Sequence, residues 1–180
     1  FVRGHVLQDD TYDRARLADA EMAIVLATSY SDPNSDAVVS SAASVMNRIK
    51  PGLHVVAECL EPKHRGLFDT AGCDALVFGM QVSANLLVQE AFDPGISQLV
   101  DVLTSNVRGT TLYSTVVPDA GETVSYNDLA KQLLDARINL ICVNRDRESL
   151  TSFMDLTAQP DDRVIYAATS RASWAELVGT

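Results

Sequence analysis

Three short runs of uninterrupted apolar residues, separated by helix-length stretches, constrain this chain more than any other feature. They are Met22-Ala-Ile-Val-Leu-Ala27, His54-Val-Val-Ala-Glu58 and Asp74-Ala-Leu-Val-Phe78. A run that is apolar at successive positions, not at alternate ones, reads as a strand buried on both faces. Between the first two runs, Val38, Val39, Ala42, Val45, Met46 and Ile49 fall on one face of a helix that reaches about Arg48. Asp32 or Ser35 is placed to cap it, Pro33 suits its first turn, and Pro51-Gly52 ends it. A short helix over residues 65–70 is closed by Gly72, and a long one follows the third run from about Gln81 to Phe92. Strand and helix repeating at this spacing predict neighbouring parallel strands joined by right-handed crossovers.

The rhythm then changes. Asp93-Pro94-Gly95 breaks the chain, and Ile96, Leu99, Val100 and Leu103 resume helical spacing. Residues 106–109 mark a boundary. Beyond it a strand is expected over 112–117, a helix over 126–136 and strands over 139–144, 150–153 and 163–168. A turn falls at Gln159-Pro160-Asp161-Asp162, and Trp174 and Leu177 share one face of a short terminal helix. The chain thus reads as α/β, with a parallel sheet in residues 1–108 and a smaller α+β C-terminal lobe in 109–180.

Charge narrows the partners. Among 180 residues, 24 are Asp or Glu against 14 Lys or Arg, a formal net charge of -10. Such a surface repels phosphate backbones, so no nucleic-acid partner is expected. Cys59, Cys73 and Cys142 form no CxxC pair, which fits a reducing compartment and neither a disulfide framework nor a zinc site. No apolar run approaches the roughly 20 residues of a membrane span. The start, Phe1-Val2-Arg3-Gly4-His5, has neither an initiator Met nor a signal-peptide pattern, so the chain is expected to be a piece of something longer.

Catalytic signatures are missing: the sequence has no GxSxG, HExxH or GxxxxGK[ST] motif. His5, His54 and His64 stand apart from any nucleophile at a recognisable spacing and read as surface or packing residues. The glycine fingerprint GxGxxG is absent from an otherwise Rossmann-like pattern; it either lies upstream of Phe1 or the domain binds no dinucleotide. Ligands of parallel sheets gather beyond the carboxyl ends of the strands, which singles out Gly4, His5, Thr28 and Glu58 as the candidate ligand-binding residues. Asp32, Asp36 and Glu61 are further oxygen donors near Glu58, at a spacing that matches no calcium loop, and no metal site is assigned. Cys59 and Cys73 read as small buried hydrophobes.

These residues resemble a known family. The run from Phe1 to about Ser105 is similar to the RCK domain (regulator of potassium conductance) of bacterial and BK-like potassium channels. Phe1-Val-Arg-Gly-His5 resembles the end of that fold's third strand, and Leu17-Ala-Asp-Ala-Glu-Met-Ala-Ile-Val-Leu-Ala27 its passage from helix to fourth strand. Ser29-Tyr-Ser-Asp-Pro-Asn-Ser-Asp36 is similar to the acidic loop after that strand in the BK-like branch. His54-Val-Val-Ala-Glu58 and Ala71-Gly-Cys-Asp-Ala-Leu-Val77 match the next two strand entries, and Phe92-Asp-Pro-Gly-Ile-Ser97 the link into the crossover helix. In the second lobe, Asn139-Leu-Ile-Cys-Val-Asn-Arg-Asp146 and Ala158-Gln-Pro-Asp-Asp162 carry the likeness.

The resemblance implies a Rossmann-like parallel sheet lacking its first βαβ unit. It further implies a cytoplasmic gating-ring domain at the inner face of the cell membrane, coupling ligand binding to the pore of a potassium channel or transporter. Its partners would be a second copy or a larger ring of RCK domains and the membrane pore module, and its ligand a nucleotide or a divalent cation. In calcium-gated archaeal members one carboxylate follows the fourth strand and two lie near the end of the fifth. Glu58 matches one, and Leu26 and Leu60 stand where the others fall, so tight calcium binding is not expected there. The rival reading is a fragment of a Rossmann-type NAD(P)-dependent oxidoreductase, with Arg137, Asp146 and Arg163 as its candidate acid–base set. A third is a ring module that binds nothing.

Overall fold

A computed structural model describes residues 1–105, 109–119, 123–146 and 148–179. The chain divides into two compact units, Phe1–Ala91 and Phe92–Thr180. Of the boundary expected at residues 106–109, Asn106 to Arg108 lie outside the described residues.

The first unit opens with helix α1 (Asp9–Arg14) and a 3₁₀ turn at Leu17–Asp19. Strands β1 (Met22–Val25), β2 (His54–Glu58) and β3 (Ala75–Val77) then form one parallel sheet in the order β1-β2-β3. Their register pairs Ile24 with Val56 and Ala57 with Leu76. The crossovers are α2 (Ser35–Ile49) and α3 (Arg65–Ala71), and α4 (Gly79–Phe92) leaves β3. At Gly72 the backbone turns left-handed (φ 77°), which glycine adopts without a side-chain clash and which stops α3. The Asn47 amide nitrogen on α2 donates to the carbonyls of Ala71 and Gly72, locking that turn in place.

The core lies on one face of the sheet. Val25, Val55 and Ala57 pack against Val39, Ala42 and Ala43 of α2 and Phe68 of α3, all buried. The other face is open. Met22, Ile24 and Leu26 are 60%, 68% and 67% exposed, and Val77 is 49% exposed. The expectation of strands buried on both faces is therefore corrected. Along β1, Ala23 and Val25 point into the core while Met22 and Ile24 point away, and a hydrophobic run does not supply its own second covering layer. The capping expectation changes too. Asn34 occupies the N-cap without a side-chain bond, and α2 begins at Ser35, whose hydroxyl is spent elsewhere.

In the second unit, α5 (Ile96–Thr104) starts after Gly95, whose φ of 106° makes the break foreseen at Asp93-Pro94-Gly95. Strands β4 (Thr111–Val116), β5 (Asn139–Arg145), β6 (Glu148–Leu150) and β7 (Arg163–Ala168) form an antiparallel sheet in the order β4-β7-β5-β6. The third strand of this lobe sits earlier than the expected 150–153. Asp146 takes a left-handed backbone (φ 49°), so the chain reverses at once and Glu148 pairs with Arg145. Helices α6 (Tyr126–Asp135) and α7 (Trp174–Val178) cover one face with Tyr126, Leu129, Leu133, Trp174 and Leu177. Ser125 caps α6, and Ser173 with Glu176 makes a capping box on α7.

Candidate functional site

The carboxyl ends of β1 and β2 are joined by two carboxylates that reach in opposite directions. Glu58, the last residue of β2, accepts the Ala27 amide at 3.0 Å and the Tyr30 hydroxyl at 2.6 Å, fixing the loop after β1. Asp36, in the first turn of α2, accepts the amides of Leu60 at 2.9 Å and Glu61 at 3.1 Å, fixing the loop after β2. His64 Nδ1 lies 2.8 Å from the same carboxylate. Each loop is thus held by the acid of the other strand–helix unit.

Ser35 completes the tie. Its buried hydroxyl accepts the Thr28 amide at 3.0 Å and lies 3.1 Å from the Thr28 hydroxyl. Gly79, at the exit of β3, brings its backbone against Glu58, since a Cβ there would stand 3.1 Å from the carboxylate. Glu58 therefore sits where all three strands end.

Between these loops lies a cavity of about 260 Å³, lined by Tyr30, Asp32, Asp36, Leu60, Glu61 and Met80 among others. The Tyr30 phenol is raised above its ordinary range by its bond to Glu58 and by that residue's charge. Burial alone would push the Asp36 carboxyl up, but the bonds from Leu60, His64 and Glu61 outweigh it and hold the group below the usual carboxylate range. The Cys59 thiol, buried beside Asp36, is pushed up to about 11 by burial first and by the Asp36 charge second. It stays protonated at neutral pH, and its Sγ donates to the Glu61 carbonyl at 3.3 Å and to Asp36 at 3.8 Å.

Of the four candidate binding residues, Glu58 bonds Ala27 and Tyr30, on either side of Thr28, while Thr28 itself is held by Ser35. Gly4 and His5 are engaged at α1. The Thr11 hydroxyl donates to the His5 carbonyl at 3.0 Å, and the Thr11 side chain fills the space a Cβ on Gly4 would need. Among the described residues no hydrogen bond connects them to Glu58. Tyr30 and His64 are the members that the sequence did not mark for the site, and Asp36 was marked only as a further oxygen donor near Glu58. The signal for Asp36 was its place one residue inside the helix start, where a carboxylate is favoured by exposed amides. Among the described residues no group of three or more His, Cys, Asp or Glu side chains is placed to hold a metal ion. Nor is any described helix long and apolar enough to cross a membrane.

The set proposed for the rival enzyme is not assembled either. Arg137 and Asp146 occupy turns with φ of 60° and 49°, and Arg163 lies on β7. The polar centre of this unit is formed instead by Arg145, Asp162 and Tyr126.

No protein-family model and no curated protein sequence matches the chain. Solved structures do. The human SLO3 gating ring matches with a TM-score of 0.69 at 12% identity, covering 94% of this chain and 36% of that one. The GsuK RCK domain matches with a TM-score of 0.44 at 17% identity, covering 94% and 35%. The GsuK channel bound to NAD gives 0.45 at 16%, covering 94% and 29%. The chain spans about a third of the length of these proteins. At such identities the likeness speaks to fold alone, and the fold, a parallel sheet with crossover helices followed by an antiparallel lobe, is shared with part of the SLO3 gating ring.

Proposed function

We propose that this chain is a regulatory domain of gating-ring type, on the cytoplasmic side of a membrane, that couples ligand binding to a potassium channel or transporter pore. It carries no catalysis of its own. The observation behind this reading is the likeness to the SLO3 gating ring, which runs through 94% of the chain. The ligand site is the strand-end cleft, and Thr28 and Glu58 hold the loop after β1 that flanks it. A ligand that binds the cleft's conformations unequally shifts the loops tied by Glu58 and Asp36, and so shifts the ring.

Assembly is supported by helices that bury nothing. No residue of α4 is buried, although Val82, Leu87 and Val88 are apolar and 56%, 73% and 57% exposed. On α5, Leu99 and Val102 are 53% and 45% exposed. Apolar surface of this extent on a soluble face marks an interface, here an isologous contact between two copies. The wild-type chain should sediment as a dimer or larger ring at high micromolar concentration, and Leu99→Asp should give a folded monomer. A wild-type monomer under those conditions overturns the assembly and the coupling built on it.

The cleft should not bind calcium tightly. Both Glu58 oxygens are already used by Ala27 and Tyr30, and calcium prefers roughly six to eight oxygens. Titration calorimetry should show no micromolar calcium binding; such binding, lost in Glu58→Gln, would contradict this.

A further inference from the structure

The antiparallel sheet ends in an edge that is unusually easy to pair. β4 is its first strand, and Thr111–Val116 holds no charged residue and no proline. Long, uncharged, β-branched edges are templates for another strand, and proteins commonly place charge or a covering group there. The Val117 amide donates to the Asp162 carbonyl at 2.9 Å, which fixes the orientation of the ladder. Counting back through the register, Thr111, Tyr113 and Thr115 turn their backbone groups toward β7. Leu112, Ser114 and Val116 turn theirs outward. Among the described residues no backbone bond outside the sheet ladder involves any of these three.

Two groups stand at that edge. The Thr111 hydroxyl donates to the Leu103 carbonyl of α5 at 2.9 Å, at one end of the strand. At its middle, Arg171 Nη1 donates to the outward Ser114 carbonyl at 3.1 Å, and the guanidinium lies 5.2 Å from the centre of the Tyr113 ring. A second copy laid antiparallel about Ser114 would exchange bonds with Ser114 and set Leu112 of one copy opposite Val116 of the other. Nothing on the strand's own side chains opposes that pairing.

We propose that Arg171 is an edge guard: by occupying the Ser114 carbonyl and planting a charge over Tyr113, it keeps β4 from pairing with β4 of another copy. The device is independent of the helical interface described above and confines association to other surfaces.

The test compares wild type, Arg171→Ala and Arg171→Ala/Ser114→Lys by sedimentation velocity over a concentration series, with thermal melting as the control for folding. Arg171→Ala should melt as wild type does and self-associate beyond the wild-type state by about tenfold in apparent affinity. Adding Ser114→Lys should abolish the gain, because like charges then face each other across the new pair. Hydrogen exchange should show the Leu112, Ser114 and Val116 amides unprotected in wild type and protected in Arg171→Ala. The proposal is overturned by unchanged association of Arg171→Ala or by association that persists with Ser114→Lys. Loss of folding in Arg171→Ala also overturns it, since Arg171 would then be a structural prop.

Discussion

Asp162→Ala is expected to cost the second unit roughly 3–5 kcal/mol, the range found when one partner of a buried ion pair is removed. The Asp162 side chain is fully buried and receives Arg145 Nε and Nη2, each at 2.7 Å. It also accepts the buried Tyr126 hydroxyl at 2.8 Å and the Gln159 amide at 2.9 Å. Truncation strands all of these donors at once, and Arg145 keeps only its bond to the Thr157 carbonyl. Domains are typically stable by only about 5–15 kcal/mol, so the loss is a large share of the total. Trp174 packs edge-on against Tyr126 and is the chain's single tryptophan, so its fluorescence reports this unit alone. Denaturation followed at Trp174 should shift far toward lower denaturant. A midpoint unchanged from wild type would show that the network is not what holds the lobe.

The same carboxylate sets an acid limit. Burial alone would push the Asp162 carboxyl up, but Arg145, Gln159 and Tyr126 together hold it below its ordinary value. A depressed folded-state pKa contributes stability that is present above the unfolded pKa and is lost as pH falls through the folded one. The Trp174 transition should therefore weaken below about pH 4, and Asp162→Asn should remove most of that dependence.

Asp36→Ala should destabilise the first unit by roughly 3 kcal/mol, since it leaves part-buried amides without acceptors. The Asp36 side chain is 3% exposed and holds Leu60, Glu61 and His64. Hydrogen exchange at Leu60 and Glu61 should accelerate in the variant, with little change in the second unit. Cys59 supplies a second readout. With the neighbouring charge gone, its thiol should ionise at lower pH and react faster with thiol reagents. Unchanged exchange at both amides would mean that the loop after β2 is fixed by something other than this tie.

The sequence by itself determined the local elements. Parallel strands followed from the runs at 22–27, 54–58 and 74–78, and the stops at Gly72 and Gly95 followed from positions where only a left-handed backbone ends the helix or turn cheaply. The buried face of α7 was legible in the spacing of Trp174 and Leu177. These signals lie between residues close in the chain, where periodicity and steric preference act directly. Only the tertiary structure decided what the carboxylates do. Glu58 meets Ala27 and Tyr30, and Asp36 meets Leu60 and His64, because the β1–β2 register sets the two loops side by side. Arg145 finds Asp162 because β5 pairs with β7. Burial was decided at the same level. Met22 and Ile24 are as apolar as Ala23 and Val25 yet stand exposed, because hydrophobicity belongs to a residue and covering belongs to its neighbours in space.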